Sequence, residues 1–171
     1  MIAHRSDLPP VPPVTPRPVS APGKALLIGE YAVLEGAPAL VTAVDVRAVA
    51  HANAEASSSS PFTRAARAPA AAYLAARALP SPGPLPLVDT APFALGQRKL
   101  GLGSSAAATA AVLGYHLHEA GLDLRSPEIL AEALALARLA HAEAQGGGSG
   151  ADVAASVLGG ALIYRGGPHP T

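Results

Sequence analysis

Three short segments combine residue types that phosphoryl chemistry uses. The first is Gly101-Leu102-Gly103-Ser104-Ser105, directly before a run of helix formers. Two glycines let a backbone approach a ligand closely. Successive N–H groups and the positive end of a following helix make an anion cradle, and two hydroxyls stand at its mouth. The spacing is not that of a Walker A loop, and the third glycine of a dinucleotide fingerprint is missing. Taken alone, the segment also suits a plain helix cap with a hinge. The second is Gln145-Gly-Gly-Gly-Ser149-Gly150-Ala-Asp152, a glycine-rich loop beside a lone carboxylate. Such a loop suits an acceptor beside an acid, although an acid at a helix N-terminus is favoured by the dipole without any catalytic role. The third is Pro22-Gly23-Lys24, which brings a lysine into an apolar strand. An ammonium there must be paired or face a cavity, and beside phosphates it would neutralise developing charge. By itself it reads sooner as a strand-end lysine reaching water.

The elements that must position these segments follow from the pattern. Ser20–Lys24 reads as a turn, Ala25–Ile28 as a buried strand, and Tyr31–Leu34 as a further strand of β-formers. Gly29-Glu30 and Glu35–Pro38 are the breaks between them, and Ala39–Ala50 is a longer Val-rich strand. Three strands so close in sequence predict an antiparallel sheet. Arg64–Leu79 reads as one Ala/Arg-rich helix, and Leu87–Val88 and Phe93–Leu95 as short strands. Ala106–Ala120 is a strong helix stopped by Gly121. Ser126-Pro127-Glu128 starts another, with an apolar stripe of Ile129, Leu130, Ala133, Leu134 and Ala137 running to about Ala144. Asp152–Leu158 is a short helix and Ala161–Tyr164 a last strand.

Composition narrows the function classes. The 171 residues are half apolar with 4% aromatics and no Trp, so the core must be built from Ala, Leu and Val. Lys+Arg and Asp+Glu both number 12, which leaves no field to hold nucleic acid or a membrane surface. Without cysteine there is no disulfide, thiolate metal site or thiol nucleophile. The long apolar stretches are interrupted by Gly, Pro or charge, so none reads as a membrane span. Residues 1–18 hold six prolines and no apolar stretch of a secretory signal, and read as a disordered leader before a domain over 19–171. The expected location is cytoplasmic.

The order of the three segments resembles the GHMP kinases. Ala21–Gly36 is similar to the opening of mevalonate and phosphomevalonate kinases, and Lys99–Ala106 to their phosphate loop. His141-Ala-Glu-Ala-Gln145-Gly, followed by Gly148-Ser149-Gly150-Ala-Asp152-Val-Ala, is most similar to phosphomevalonate kinases. The resemblance covers about two-thirds of the chain and fades over Asn53–Gln97. It implies an α+β fold, a mixed and mostly antiparallel sheet with helices on one face, as in ribosomal protein S5 domain 2. It implies ATP and Mg²⁺ as cofactors and a small-molecule acceptor, phosphomevalonate or else mevalonate, in isoprenoid precursor synthesis. Lys99, Gly101, Leu102, Gly103, Ser104 and Ser105 would bind ATP, with Ser105 also on the metal. Asp152 and Lys24 would be catalytic, and Gln145, Ser149 and Gly150 would line the acceptor pocket. Glu30 is structural or peripheral in this reading. His141 stands where mevalonate kinases carry a metal-binding Glu, and Glu143 is a secondary candidate for that role. Family members continue into a second domain, so the resemblance implies an exposed apolar patch, covered by a C-terminal half or a second copy of the chain. An inactive nucleotide-binding remnant and a plain Ala-rich structural domain are the readings from other classes.

Overall fold

A computed structural model describes residues 17–52 and 60–166. The leader expected at residues 1–18 therefore lies almost wholly outside the described residues. The sheet is built on β2 (Pro38–His51). On one side it pairs with β1 (Val19–Ile28). On the other it pairs with β3 (Leu87–Asp89) near its end and with β6 (Ala161–Arg165) near its start. Every pairing among the described residues is antiparallel, including a separate two-residue hairpin of β4 (Ala94–Leu95) and β5 (Arg98–Lys99). The helices are α1 (Pro61–Ala65), α2 (Arg67–Ala76), α3 (Ser104–Glu119), α4 (Pro127–Gln145) and α5 (Ala151–Leu158). Both α3 and α5 pack on β1 and β2, while α4 packs on α3 and α5. This is the α+β arrangement that the sequence implied.

The core depends on the small side chains of α3. Its residues Ala106–Leu117 are all buried. Ala107, Ala110, Ala111 and Tyr115 meet the sheet beside Ala21, Ala48 and Ala50. Ala106, Val112, Leu113 and Leu117 meet α2 and α4 through Tyr73, Leu74, Ala133, Ala137 and Ala140. A helix buried on both sides needs residues that leave room for close neighbours, and alanine also carries the highest helix propensity.

Local expectations change in six places. Ser20–Lys24 is not a turn but part of β1, where the register moves from Pro22 opposite Arg47 to Gly23 opposite Val44. The ladder is interrupted beside a proline, which has no N–H to give it. Ala25–Ile28 is not a buried strand, for Leu27 is 57% and Ile28 68% exposed: β1 is an edge strand and neither face of its end is covered. Tyr31–Leu34 forms no strand. Ala32–Glu35 is one 3₁₀ turn, closed by Leu34 N–H donating to Tyr31 O at 3.1 Å and anchored by buried Val33. The predicted helix over Arg64–Leu79 is two helices broken at Ala66. A proline at position 69 cannot continue a helix from residue 65 but is tolerated in the first turn of α2. Phe93 belongs to a 3₁₀ turn, so only Ala94–Leu95 of the last short strand remains. The Ser126 hydroxyl, at the start of α4, makes no capping hydrogen bond. Among the described residues no helix is long and apolar enough to cross a membrane.

Candidate active site

The interruption in β1 sits under the loop that precedes α3. Lys24 N–H donates to Leu102 O at 2.8 Å, joining strand to loop through the backbone. A Cβ at Gly23 would come within 2.5 Å of that same carbonyl and 2.6 Å of the Phe93 ring, so only glycine fits. Gly103, the residue before α3, has a left-handed backbone (φ 76°), and a Cβ there would lie 2.8 Å from Lys24 Cγ. The lysine stem thus runs across Gly103, below the free N–H groups of a sixteen-residue helix.

Ser105, in the first turn of α3, is tied to α4. Its Oγ lies 3.2 Å from His141 Nε2. The His141 ring is buried, 5.0 Å from the ring of Phe62. Burial pulls its pKa below 6.5, with the Asp152 charge opposing. At neutral pH the ring is therefore uncharged, and its 3.9 Å approach to Asp152 Oδ2 is not an ion pair. Asp152 stands in the first turn of α5, where Oδ1 accepts from Val153 N–H at 2.9 Å. Gly150 begins this helix in a left-handed conformation (φ 79°). Ser149 Oγ accepts from Ala151 N–H at 3.3 Å, and Tyr164 O–H donates to Ser149 O at 2.6 Å. Burial raises the Tyr164 pKa, while the Arg138 charge opposes the rise and that of Asp152 adds to it.

Two clefts meet across the Ser105–His141 contact. The first, of about 580 Å³, is lined by Lys24, Glu30, Arg138, Gln145, Ser149 and Asp152 among others. The second, of about 340 Å³, is lined by Phe62, Thr90, Phe93, Lys99, Ser104 and Ser105 among others. Lys24, Asp152, Gln145, Ser149 and Gly150, distant in sequence, thus share one cleft, while Lys99, Ser104 and Ser105 share the other. Gly101 and Leu102 line neither: Leu102 packs against the core around Phe93 and offers only its carbonyl, which Lys24 takes. Glu30, read as peripheral, borders the first cleft, whereas Glu143 borders neither. Sequence reasoning passed over Arg138 and Tyr164. The signal for Arg138 was present: Ala135, Arg138, Ala142 and Gln145 follow one another at helical spacing on one face of α4.

Among the described residues no group of three or more His, Asp or Glu could enclose a metal ion. The donors in place are the Ser105 hydroxyl and the Asp152 carboxylate, on either side of a neutral His141. That set fits Mg²⁺, which keeps several waters and leans on substrate phosphates, and it does not fit a metal caged by protein alone.

The family model of the GHMP kinases N terminal domain matches residues 70–160. Among solved structures, the chain is similar to a Lin0012 protein from Listeria innocua (26% identity, TM-score 0.71, 87% of this chain and 48% of that one). It is also similar to a Streptococcus pneumoniae phosphomevalonate kinase solved with phosphomevalonate and AMPPNP (22% identity, TM-score 0.72, 88% and 50%). A third is the Methanococcus jannaschii mevalonate kinase (18% identity, TM-score 0.66, 90% and 55%). The chain spans about half the length of these structures. No curated protein matches it in sequence.

Proposed function

The chain belongs to the GHMP kinase family through its N-terminal domain, and we propose that it serves ATP-dependent phosphoryl transfer to phosphomevalonate. The observation that carries this reading is the meeting of the two clefts. Lys24 and Asp152 border one, Ser104 and Ser105 border the other, and a Ser105–His141 contact of 3.2 Å joins them.

Each group then has a task that its position supports. The N–H groups at the start of α3, with the Ser104 hydroxyl, would hold the ATP phosphates, and Lys99 would add a cation at the rim of the same cleft. Lys24, held by its backbone against the loop, would neutralise charge on the transferring group. Ser105 would hold Mg²⁺, which would supply charge neutralisation on the phosphates when bound. Gln145 and Ser149 would line the acceptor side. An acceptor phosphate oxygen attacks the γ-phosphorus, the bond to the β–γ bridging oxygen breaks, and ADP leaves. That attacking oxygen is already anionic near neutral pH, so Asp152 orients the acceptor rather than taking a proton from it.

Mevalonate is the competing acceptor. The neutral His141, where mevalonate kinases carry an acid, favours the phosphate-bearing one, since it adds no negative charge facing an anionic substrate. Calorimetric titration of the chain with Mg²⁺–AMPPNP, beside Ser105→Ala, tests the nucleotide cleft. ADP release with phosphomevalonate or mevalonate then tests the acceptor. Binding that weakens in the variant, with turnover on phosphomevalonate, supports the reading. Faster turnover on mevalonate replaces the acceptor, nucleotide binding without turnover on either acceptor favours the inactive remnant, and a folded chain that binds no nucleotide overturns the reading.

A further inference from the structure

We propose that Arg138 is the anion-reading residue of the first cleft, holding a carboxylate or phosphate group of the acceptor; this rests on reading that cleft as the acceptor site. Arg138 lies on the face of α4 that also carries Gln145, seven residues on, and both border the cleft. At helical rise the two stand roughly 10 Å apart along the axis, a span that suits a short multifunctional acid.

The surroundings of the guanidinium point the same way. Its Cζ is 5.9 Å from the Tyr164 ring, and its Nε would be 2.7 Å from a Cβ at Gly150, so the loop is shaped around it. That Nε is buried and has no hydrogen-bond partner, while the guanidinium also reaches the Tyr164 hydroxyl. The ion pairs among the described residues do not include Arg138. The carboxylates that line the same cleft, Asp152 and Glu30, both lie off α4. A buried donor on a permanent cation, left without an acceptor, is costly unless a ligand supplies one. The planar fork of arginine matches the oxygens of a carboxylate or phosphate, which lysine does not reproduce. A purely structural brace would need only the Tyr164 contact, and the buried Nε is left over from it.

The test reads the Arg138 Nε–Hε resonance in ¹⁵N-labelled chain, identified by its loss in Arg138→Lys. Wild type is titrated with inorganic phosphate, with acetate, and with phosphomevalonate; AMPPNP binding is measured in parallel. The expected result is a saturable shift with phosphomevalonate. In Arg138→Met, phosphomevalonate binding should weaken about ten- to a hundredfold, as for loss of a charged hydrogen bond, with partial recovery in Arg138→Lys and unchanged AMPPNP affinity. Weakened phosphomevalonate with unchanged mevalonate binding assigns the phosphate, whereas equal weakening of both assigns the carboxylate. A resonance that no anion moves, in a chain that binds AMPPNP, overturns the proposal and leaves the kinase reading standing. A resonance moved by phosphate or acetate in a chain that binds neither AMPPNP nor phosphomevalonate supports Arg138 and refutes the kinase reading. Should Arg138→Met fail to fold, the wild-type titration still decides.

Discussion

Replacing Gly103 by Ala probes the contact on which the proposed catalytic geometry depends. Two penalties should add. The left-handed backbone at φ 76° costs an L-residue about 1–2 kcal/mol. The new methyl would also meet Lys24 Cγ at 2.8 Å, with Cε at 3.3 Å and Cδ at 3.6 Å, so the whole stem must shift. A flexible side chain gives way more cheaply than a packed core, which sets this second cost near the lower end of overpacking, about 1 kcal/mol. The sum of about 2–3 kcal/mol corresponds to a Tm lower by roughly 4–12 °C for a chain of this size.

A double-mutant cycle separates the two costs. In a Lys24→Ala background the stem is gone, so Gly103→Ala should cost only the backbone penalty of about 1–2 kcal/mol. Urea unfolding of the four proteins gives the coupling directly. The expected value is about 1 kcal/mol, with the glycine substitution less harmful when Lys24 is absent. A coupling indistinguishable from zero would refute the placement of Lys24 across the start of α3, and with it the role given to its ammonium. Gly23→Ala offers no comparable relief in that background, because its neighbours are a backbone carbonyl and the Phe93 ring.

Further outcomes follow from the same structure. Leu113, fully buried between α3 and its neighbours, should cost about 2–5 kcal/mol when cut to Ala, read as a lower urea midpoint. Burial also holds His116 and His141 below the ordinary pKa of 6.5. The unfolded chain then takes up protons that the folded chain refuses, so stability is full above about pH 6.5 and falls as pH drops toward the folded-state values. His116→Leu should shrink that slope, and an unchanged slope would remove His116 as a cause. Tyr164→Phe leaves Ser149 O without its 2.6 Å donor and should cost about 1–3 kcal/mol, read by thermal unfolding. In ultraviolet titration one tyrosine, Tyr115, should ionise only near pH 12, because burial and then the Glu119 charge raise it to about 12.

Much of the site was legible because it is built from backbone requirements. Gly23, Gly103 and Gly150 announce close approach or left-handed conformation whatever surrounds them, and Ser104-Ser105 follow such a glycine into a helix. The rest depended on neighbours. An Ala-rich run has the same propensity in one helix or two, so only Pro69 marked the break at Ala66. The β-formers of Tyr31–Leu34 lost to a turn that buries Val33 and leaves Tyr31 exposed. Arg138 could be placed on a helical face from its spacing, but the partner of that face was not in the local pattern. The expected exposed apolar surface is present in part: Leu34 and Leu139 are exposed at the rim of the first cleft, and Ile28 and Ile163 flank Leu40 across the sheet.

The interrupted register of β1 explains how three segments so far apart in sequence come to act on one space. A regular strand would keep its ladder to β2 through Pro22 and Gly23. Instead Asp45 and Val46 find no partner in β1 there, and the glycine lets the Leu102 carbonyl approach closely enough to accept from Lys24. That bond fixes the height of α3 above the sheet, and α3 in turn carries Ser105 to His141 of α4. Tyr164 on β6, hydrogen-bonded to Ser149, ties the loop before Asp152 to the far side of β2. Each link is a backbone or buried polar contact, so the positions of Lys24, Ser105 and Asp152 are set jointly by the sheet register. A side chain placed at Gly23 should therefore displace all three together, whereas loss of the Tyr164 hydroxyl should loosen the Asp152 side alone.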